Sequence, residues 1–483
     1  MAESQGGPRL TLEPMMNPAS PFRPALERAL SHSLAYLDNL EQSPVAATAS
    51  LQTLRERLAR PLNDEGLPAE QVIDDLVADT AGGIIGSAGG RFFGWVIGGS
   101  LPAALAADWM TSVWDQNAAS YACAPAEAVI EEVCGAWLKD LLGLPGHASF
   151  ALTSGCQMAH VTALASARHA LLARQGWDVE RDGLWRAPGI RILSSDQFHG
   201  SLTRATRLLG MGTGVVVGLP ANQAGQMDRA ALEQALAAAP DTLTIVVLQA
   251  GDLNIGAYDC FEELIPLAHR HGAWVHVDGA FGLWANASAK FRHLLAGAEQ
   301  ADSWATDGHK WLNLPYDNGF AFVAHPEPHR AAMSYEATYI SHNDQVREQK
   351  DWNPEWSRRG RGAAAYAALR QLGRSGVEAL IDACCEAAHR LVTGIASLSG
   401  AELMWEPTIN QGLVRFLDPR PGATDLDHDR RTDEVTSAVL ASGEALFSNT
   451  TWRGRRCMRV SVCNWQTGAQ EVDRAVAAVA KVL

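Results

Sequence analysis

The segment "TDGHKWLNLPYDNGF", Thr306–Phe320, sets Lys310 directly behind a histidine on a short turn between two apolar runs. A lysine taken out of water costs free energy unless it is paired or neutral. An amine kept neutral is a nucleophile. About one βα unit upstream, "AWVHVDGAFG" brings a buried strand to its end at Asp278. Two successive strands can therefore present Asp278 and Lys310 at the same sheet edge, where ligands of such sheets bind. A buried carboxylate needs a cation or hydrogen-bond donors. "SSDQFHGS" places His199 just beyond the strand-like run "IRILSS". "ALTSGCQMAH" opens a helix at Thr153–Gly155 with small residues, a ready anion site. His309 and Asp307 flank the lysine turn and can add contacts.

Each of these residues has an ordinary structural explanation: a turn lysine, a capping aspartate, a packed histidine, a plain helix cap. Taken together they have a chemical one. An amine that can form a Schiff base, a carboxylate for a protonated pyridine nitrogen, a flat ring to stack, and a helix start for a phosphate are what pyridoxal 5′-phosphate requires. Competing patterns are poorer. "GMGTGVVVG" is glycine-rich, but it precedes a β-like run and opens no helix, so it is not a dinucleotide fingerprint. No P-loop sequence occurs. His269, His271 and His276 cluster at a helix end and strand start, and they read as structural, not as a metal site.

The elements that must position these residues are legible as a pattern. From Pro24 to Leu76 the apolar spacing is helical. A glycine-rich stretch, "AGGIIGSAGGRFFGWVIGGSLP", leads into a long helical pattern through Leu142. From Ser149 short β-rich runs ("IRILSS", "TIVVLQAG", "AWVHVDGA", "DSWATD", "GFAFVA") alternate with helices such as Gly155–Arg174 and Asp228–Ala238. That alternation predicts an α/β unit with a mainly parallel sheet covered on both faces. After Gly360 a helix, the strands "QGLVRFLD" and "RRCMRVSVCN", and an amphipathic terminal helix from Gln466 predict a smaller α+β domain. The expected boundaries are residues 1–90, 91–360 and 361–483.

At 483 residues the chain exceeds what one core usually supports. A formal net charge of −15 argues against nucleic acid and anionic membrane as partners. No apolar run is long enough to span a bilayer. The 8 cysteines form no C-x-x-C pair, and reduced thiols in a cytoplasmic protein are the expectation. Most of the 15 tryptophans fall in helical or strand patterns and read as core.

"HVDGAFG", "DGHKWLN", "SSDQFH" and "TSGCQMAH" resemble the group II pyridoxal-phosphate-dependent amino-acid decarboxylases. That family includes aromatic-amino-acid, glutamate and diaminobutyrate decarboxylases. The resemblance runs from about Phe92 through "RVSVCNWQ". It implies the PLP-dependent transferase fold of the aspartate aminotransferase type (type I), with a helical N-terminal segment and a small C-terminal domain. It also implies a homodimer whose active sites lie at the interface. By motif, Lys310 would carry the Schiff base, Asp278 and Ala280 would belong to the V-D-x-A ring site, and His199 would stack on the ring. His309 and the amides around Gly155, Cys156 and Gln157 would serve the phosphate. "WSRRGRG" resembles the family's S-R-R segment, so Ser357 and Arg358 are expected near the cofactor. Tyr339 looks like the mobile-loop tyrosine that protonates the quinonoid carbon after CO2 leaves. A phenylalanine there is associated with aldehyde-forming members, so Tyr339 favours simple decarboxylation to the amine. The chain departs from the family's pattern at Cys156 and Gln157, at Asp307, and in the pocket, where Trp95 and Asn117 stand as candidate substrate residues. The rivals are an aldehyde synthase, an aminotransferase, a carbon–carbon lyase and a silent PLP-binding scaffold, all on the same fold.

Overall fold

The computed structural model describes residues 20–335 and 346–483. It divides into two compact units, the first ending at Ile85 and the second comprising Pro44–Ala46 and Gly86 onward. The first unit is built from helices Arg23–Asn39, Leu51–Leu58 and Ala69–Thr80. Asp74 ties two of them together, taking a hydrogen bond from Arg28 and lying 2.7 Å from His32 Nε2. Ser50 caps the second helix by accepting from the Thr53 amide.

The second unit holds two sheets. The larger contains β1 (Ser149–Thr153), β2 (Ile190–Ser195), β3 (Val216–Leu219), β4 (Leu243–Gln249), β5 (Trp274–Asp278), β6 (Ser303–Asp307) and β7 (Gly319–Val323), in spatial order β1-β7-β6-β5-β4-β2-β3. The run β3-β2-β4-β5-β6 is parallel and β7 is antiparallel to both neighbours. This is the mainly parallel sheet expected of alternating strands and helices. Apolar β4 ("LTIVVLQ") is buried along nearly all its length, as a strand covered on both faces must be. Register sets Gln249 beside Asp278 and Asp278 beside Ala305, so the polar ends of β4, β5 and β6 collect at one edge.

The smaller sheet contains β8 (Ala401–Trp405), β9 (Gln411–Phe416), β10 (Ser448–Trp452) and β11 (Arg455–Ser461), antiparallel throughout, in order β10-β11-β9-β8. Helices Asp425–Ser442 and Ala469–Val482 accompany it, and the long helix Gly362–Ala396 precedes it.

Two expectations are revised. The helical pattern through Leu142 is two helices, Pro102–Trp114 and Pro125–Leu141. Asp115 ends the first in the left-handed conformation at φ 50°, and proline starts the second, where its missing N–H costs nothing. Trp274, Trp284, Trp304 and Trp311 are fully buried, but Trp109 and Trp114 stand exposed on helix Pro102–Trp114. Among the described residues, no helix is long and apolar enough to cross a membrane.

Candidate active site

The lysine turn is shaped by residues far from it in sequence. Asn313 is fully buried in the left-handed conformation at φ 54°. Its side-chain amide donates to the carbonyls of Trp311 and Cys463, and its oxygen accepts from the amides of Gly99 and Trp465. Gly98 lies against the Lys310 carbonyl so closely that a Cβ there would collide with it. The glycine-rich stretch thus acts as a backbone-to-backbone floor for the turn.

Lys310 Nζ lies 3.0 Å from Asp307 Oδ2, at the end of β6. Burial works against the ammonium, but Asp307 outweighs it and holds the lysine above its ordinary pKa. Without a cofactor, then, Lys310 is a paired ammonium and not the neutral amine a buried lysine alone would become. The reason is the adjacent carboxylate. Asp307 Oδ1 also accepts the Cys156 amide at 2.5 Å, so the carboxylate sits over the start of helix Cys156–Ala173. Of the amides expected to serve a phosphate, that of Cys156 is already engaged. The Gln157 amide, also in the first turn, has no intrahelical acceptor. Gly155 has φ 153°, and a Cβ there would stand 3.0 Å from His309 Cε1. His309 Nδ1 accepts the Asn318 amide at 3.1 Å, which leaves Nε2 to face Asp307 Oδ1 at 3.4 Å. Burial lowers its pKa.

Asp278 ends β5 with Oδ1 accepting the Ala280 amide at 3.2 Å and Oδ2 3.5 Å from His160 Nε2. Burial would raise its pKa, but His160, His199 and Lys310 more than offset this and hold it well below the usual carboxylate range. His199 caps helix Gly200–Leu208, its Nδ1 accepting from the Ser201 amide.

Lys310, Asp278, His199, Ala280 and Trp95 line one cavity of about 520 Å³. That lies within the roughly 300–1,000 Å³ of small-molecule sites. Its wall also includes Gln249, Phe281, Tyr316 and Arg459. Asn117, Ser357 and Arg358 are not part of that wall. Asn117 instead holds the other two, donating to Ser357 Oγ and accepting from the Arg358 amide. The Arg358 guanidinium pairs with Glu131 at 2.6 Å. These three residues thus hold one another and the buried Glu131 carboxylate, and like Gly155, Cys156, Gln157, Asp307 and His309 they stand outside the wall of this cavity. Tyr339 lies outside the described residues.

Sequence reading passed over Gln249 and Arg459. Both are buried; Arg459 Nη1 donates to the Leu253 carbonyl, while Gln249 Nε2 and Arg459 Nε have no hydrogen-bond partner among the described residues. Burial pushes the Arg459 guanidinium down to about 10, against the pull of Asp252. An unpaired buried donor at a cavity wall awaits an acceptor. Pyridoxal 5′-phosphate fits this set at its ring: an anionic carboxylate for its ring nitrogen, an amine for its aldehyde and the Gln249 amide for an oxyanion.

The sequence matches the family model described as the pyridoxal-dependent decarboxylase conserved domain over residues 52–417. The chain belongs to that family. It is a PLP-dependent carboxy-lyase that uses pyridoxal 5′-phosphate to decarboxylate an amino acid. It is 24% identical over 455 residues to an aromatic-L-amino-acid decarboxylase of Bacillus atrophaeus, covering 92% of each chain. It is 26% identical over 383 residues to an L-2,4-diaminobutyrate decarboxylase of Rhizobium meliloti, covering 78% of this chain and 74% of the relative. The solved structure of Oryza sativa TDC with PLP and tryptamine superposes with a TM-score of 0.90 at 23% identity, over 98% of this chain and 99% of that one. The fold is accordingly type I.

Proposed function

We propose that this decarboxylase takes an L-amino acid to the corresponding amine and CO2 with Lys310 as the covalent anchor of the cofactor and Asp278 as the partner of its ring nitrogen. One observation carries the assignment: Lys310, Asp278 and His199 line a single cavity. The cofactor, when bound, supplies a ring that accepts the electron pair left as the Cα–carboxylate bond breaks. Asp278, already anionic, stabilises a proton on the ring nitrogen. Lys310 must shed a proton at Nζ before it can bond carbon, and Asp307 sets the pH at which it does so. His199 supports a ring face, while His309 and the Gln157 amide face the phosphate. Trp95 and the buried Phe281 give the cavity an apolar wall against which a substrate carboxylate loses hydration, which favours its departure. Tyr339 returns the proton to Cα on the strength of the family resemblance.

The working form is a homodimer in the cytoplasm. Trp109, Met110, Val113 and Trp114 are exposed together on one helix, and clustered exposed apolar side chains mark interfaces. Sedimentation at micromolar concentration is expected to give twice the chain mass. All 8 cysteines are free, as in a reducing compartment.

Arg459 favours a second reading. A guanidinium fork at the cavity wall is what an aminotransferase uses to clamp a substrate carboxylate. The deciding assay supplies purified holoenzyme with a panel of L-amino acids and reads CO2, amine, aldehyde, hydrogen peroxide and keto acid in parallel. CO2 with equal amine supports the decarboxylase. CO2 with aldehyde and peroxide moves the chain to the oxidative branch, and keto acid without CO2 makes it an aminotransferase.

A further inference from the structure

Behind Asp278, away from the cavity, runs a line of buried polar groups that the reaction does not touch. His160 Nε2 stands 3.5 Å from Asp278 Oδ2. His160 Nδ1 lies 2.9 Å from His276 Nε2, with the two rings edge to face at 80°. His276 Nδ1 lies 2.9 Å from Ser303 Oγ, which in turn accepts the Trp274 indole N–H at 2.9 Å. His160, His276 and Ser303 are fully buried. Three elements supply the line: helix Cys156–Ala173 gives His160, β5 gives Trp274, His276 and the Asp278 carboxylate, and β6 gives Ser303.

The hydrogens can be placed by exclusion. The Trp274 indole can only donate, so Ser303 receives it and its own O–H remains free to donate to His276 Nδ1; the carboxylate end of the line fixes that sense. His276 then carries its hydrogen on Nε2 and donates to His160 Nδ1. His160 carries its hydrogen on Nε2 and donates to Asp278. Every group is satisfied with both imidazoles neutral. With His160 neutral, the opposite sense would set its Nε2 lone pair against a carboxylate lone pair. The Cys156 sulfur, 3.5 Å from the same Nε2, is the weaker acceptor, so the hydrogen goes to Asp278. Burial keeps His276 neutral, with its pKa lowered to about 3. Such a line is stiff, and its bonds polarise one another toward the carboxylate.

We propose that His160 and His276 are positioning residues that hold Asp278 anionic and aimed at the cofactor's ring nitrogen, so that His276, which touches neither cofactor nor substrate, governs how tightly that nitrogen is held. This rests on the assignment of Asp278 as the nitrogen's partner. His160 is the residue that grips the carboxylate. His276 fixes the tautomer of His160, and Ser303 fixes that of His276.

The test compares the binding of two ligands to the apo full-length protein: pyridoxal 5′-phosphate, and its analogue with carbon in place of the ring nitrogen. Only the first can use Asp278, and a charge-assisted hydrogen bond is worth roughly a 10- to 100-fold preference. The variants are Asp278→Ala, His160→Leu, His160→Asn, His276→Leu and Ser303→Ala, each checked for a native near-ultraviolet circular dichroism spectrum. Asp278→Ala is expected to abolish the preference. His160→Leu and His276→Leu are expected to cut it several-fold while leaving the analogue's affinity unchanged, and His160→Asn to restore it, since the amide can donate to Asp278. If Asp278→Ala keeps the preference, the underlying assignment of Asp278 is wrong. If Asp278→Ala loses it but both leucine variants keep it, or weaken both ligands alike, the relay is overturned and the histidines are packing alone. Should the leucine variants fail to fold, Ser303→Ala, which removes one hydroxyl, decides: a lowered preference supports the relay and an unchanged one overturns it.

Discussion

Asp278 and Glu127 are both carboxylates withdrawn from water in the same unit, yet burial leaves them in opposite states. Asp278 faces His160, His199 and Lys310 and is held below the usual carboxylate range. Glu127 accepts the Gly362 amide at 2.5 Å, but its neighbour Glu131 has taken the Arg358 guanidinium. Burial, followed by repulsion from Glu131, pushes Glu127 up to about 7. The lesson is that desolvation penalises every buried charge, and what surrounds the group decides whether it stays ionised. Arg358 is spent on Glu131 and leaves Glu127 without a cation of its own among the described residues, whereas three cationic or donor groups converge on Asp278.

The largest break in this contrast is expected from Lys310→Ala, which removes the amine that lines the cavity and should cut CO2 release by about a thousandfold or more in a protein that still folds. A decarboxylation assay with a circular dichroism control checks it. Asp278→Asn comes next. It keeps the shape and removes the charge, and turnover should fall by roughly a hundredfold, while Glu127→Gln should stay within about twofold. Equal losses from both would erase the distinction between the two sites.

The contrast also carries opposite signs in stability. The pKa of Asp278 is depressed on folding, so its contribution is full above the unfolded value and is lost as pH falls through the folded one. The pKa of Glu127 is raised, so the unfolded chain releases that proton first, and stability declines from about pH 4.5 to about 7 and is level beyond. Glu127→Gln should flatten that decline, which for this shift amounts to up to about 3 kcal/mol. Urea unfolding at several pH values between these limits would show it. The smallest expected effect is from Asp307→Asn. Lys310 is held above its ordinary pKa partly by Asp307, so removing the charge should move the pH dependence of cofactor attachment downward by about one unit. Stopped-flow absorbance across a pH series checks this, and an upward shift would contradict the pairing.

Much of the site could be read before folding was considered. Lys310, Asp278 and His199 each follow an apolar strand-like run, and a polar residue at such a position must face the edge where ligands bind. Gln249 carries the same mark, but an amide alone names no chemistry, and Arg459 carries none. Gln249 closes an apolar run, and Arg459 sits in β11 of the other sheet, where alternation alone makes an arginine look solvent-facing. His276 gave a local signal, a histidine inside a buried strand, but its neighbour His269 pairs instead with Asp302 at 3.0 Å, and the apparent cluster dissolves.

By itself the sequence determined a mainly parallel α/β sheet, the cofactor and the residues at the strand ends, because strand period, helix period and chemically scarce residue types are local properties of the chain; type I was what the family resemblance implied. Only the tertiary structure decided which charges meet. It placed Asp307 over a helix start, gave Arg358 to Glu131, and backed Asp278 with the imidazole of His160. Electrostatic state depends on distances of 3 to 4 Å between segments far apart in the chain, and no local pattern records those distances.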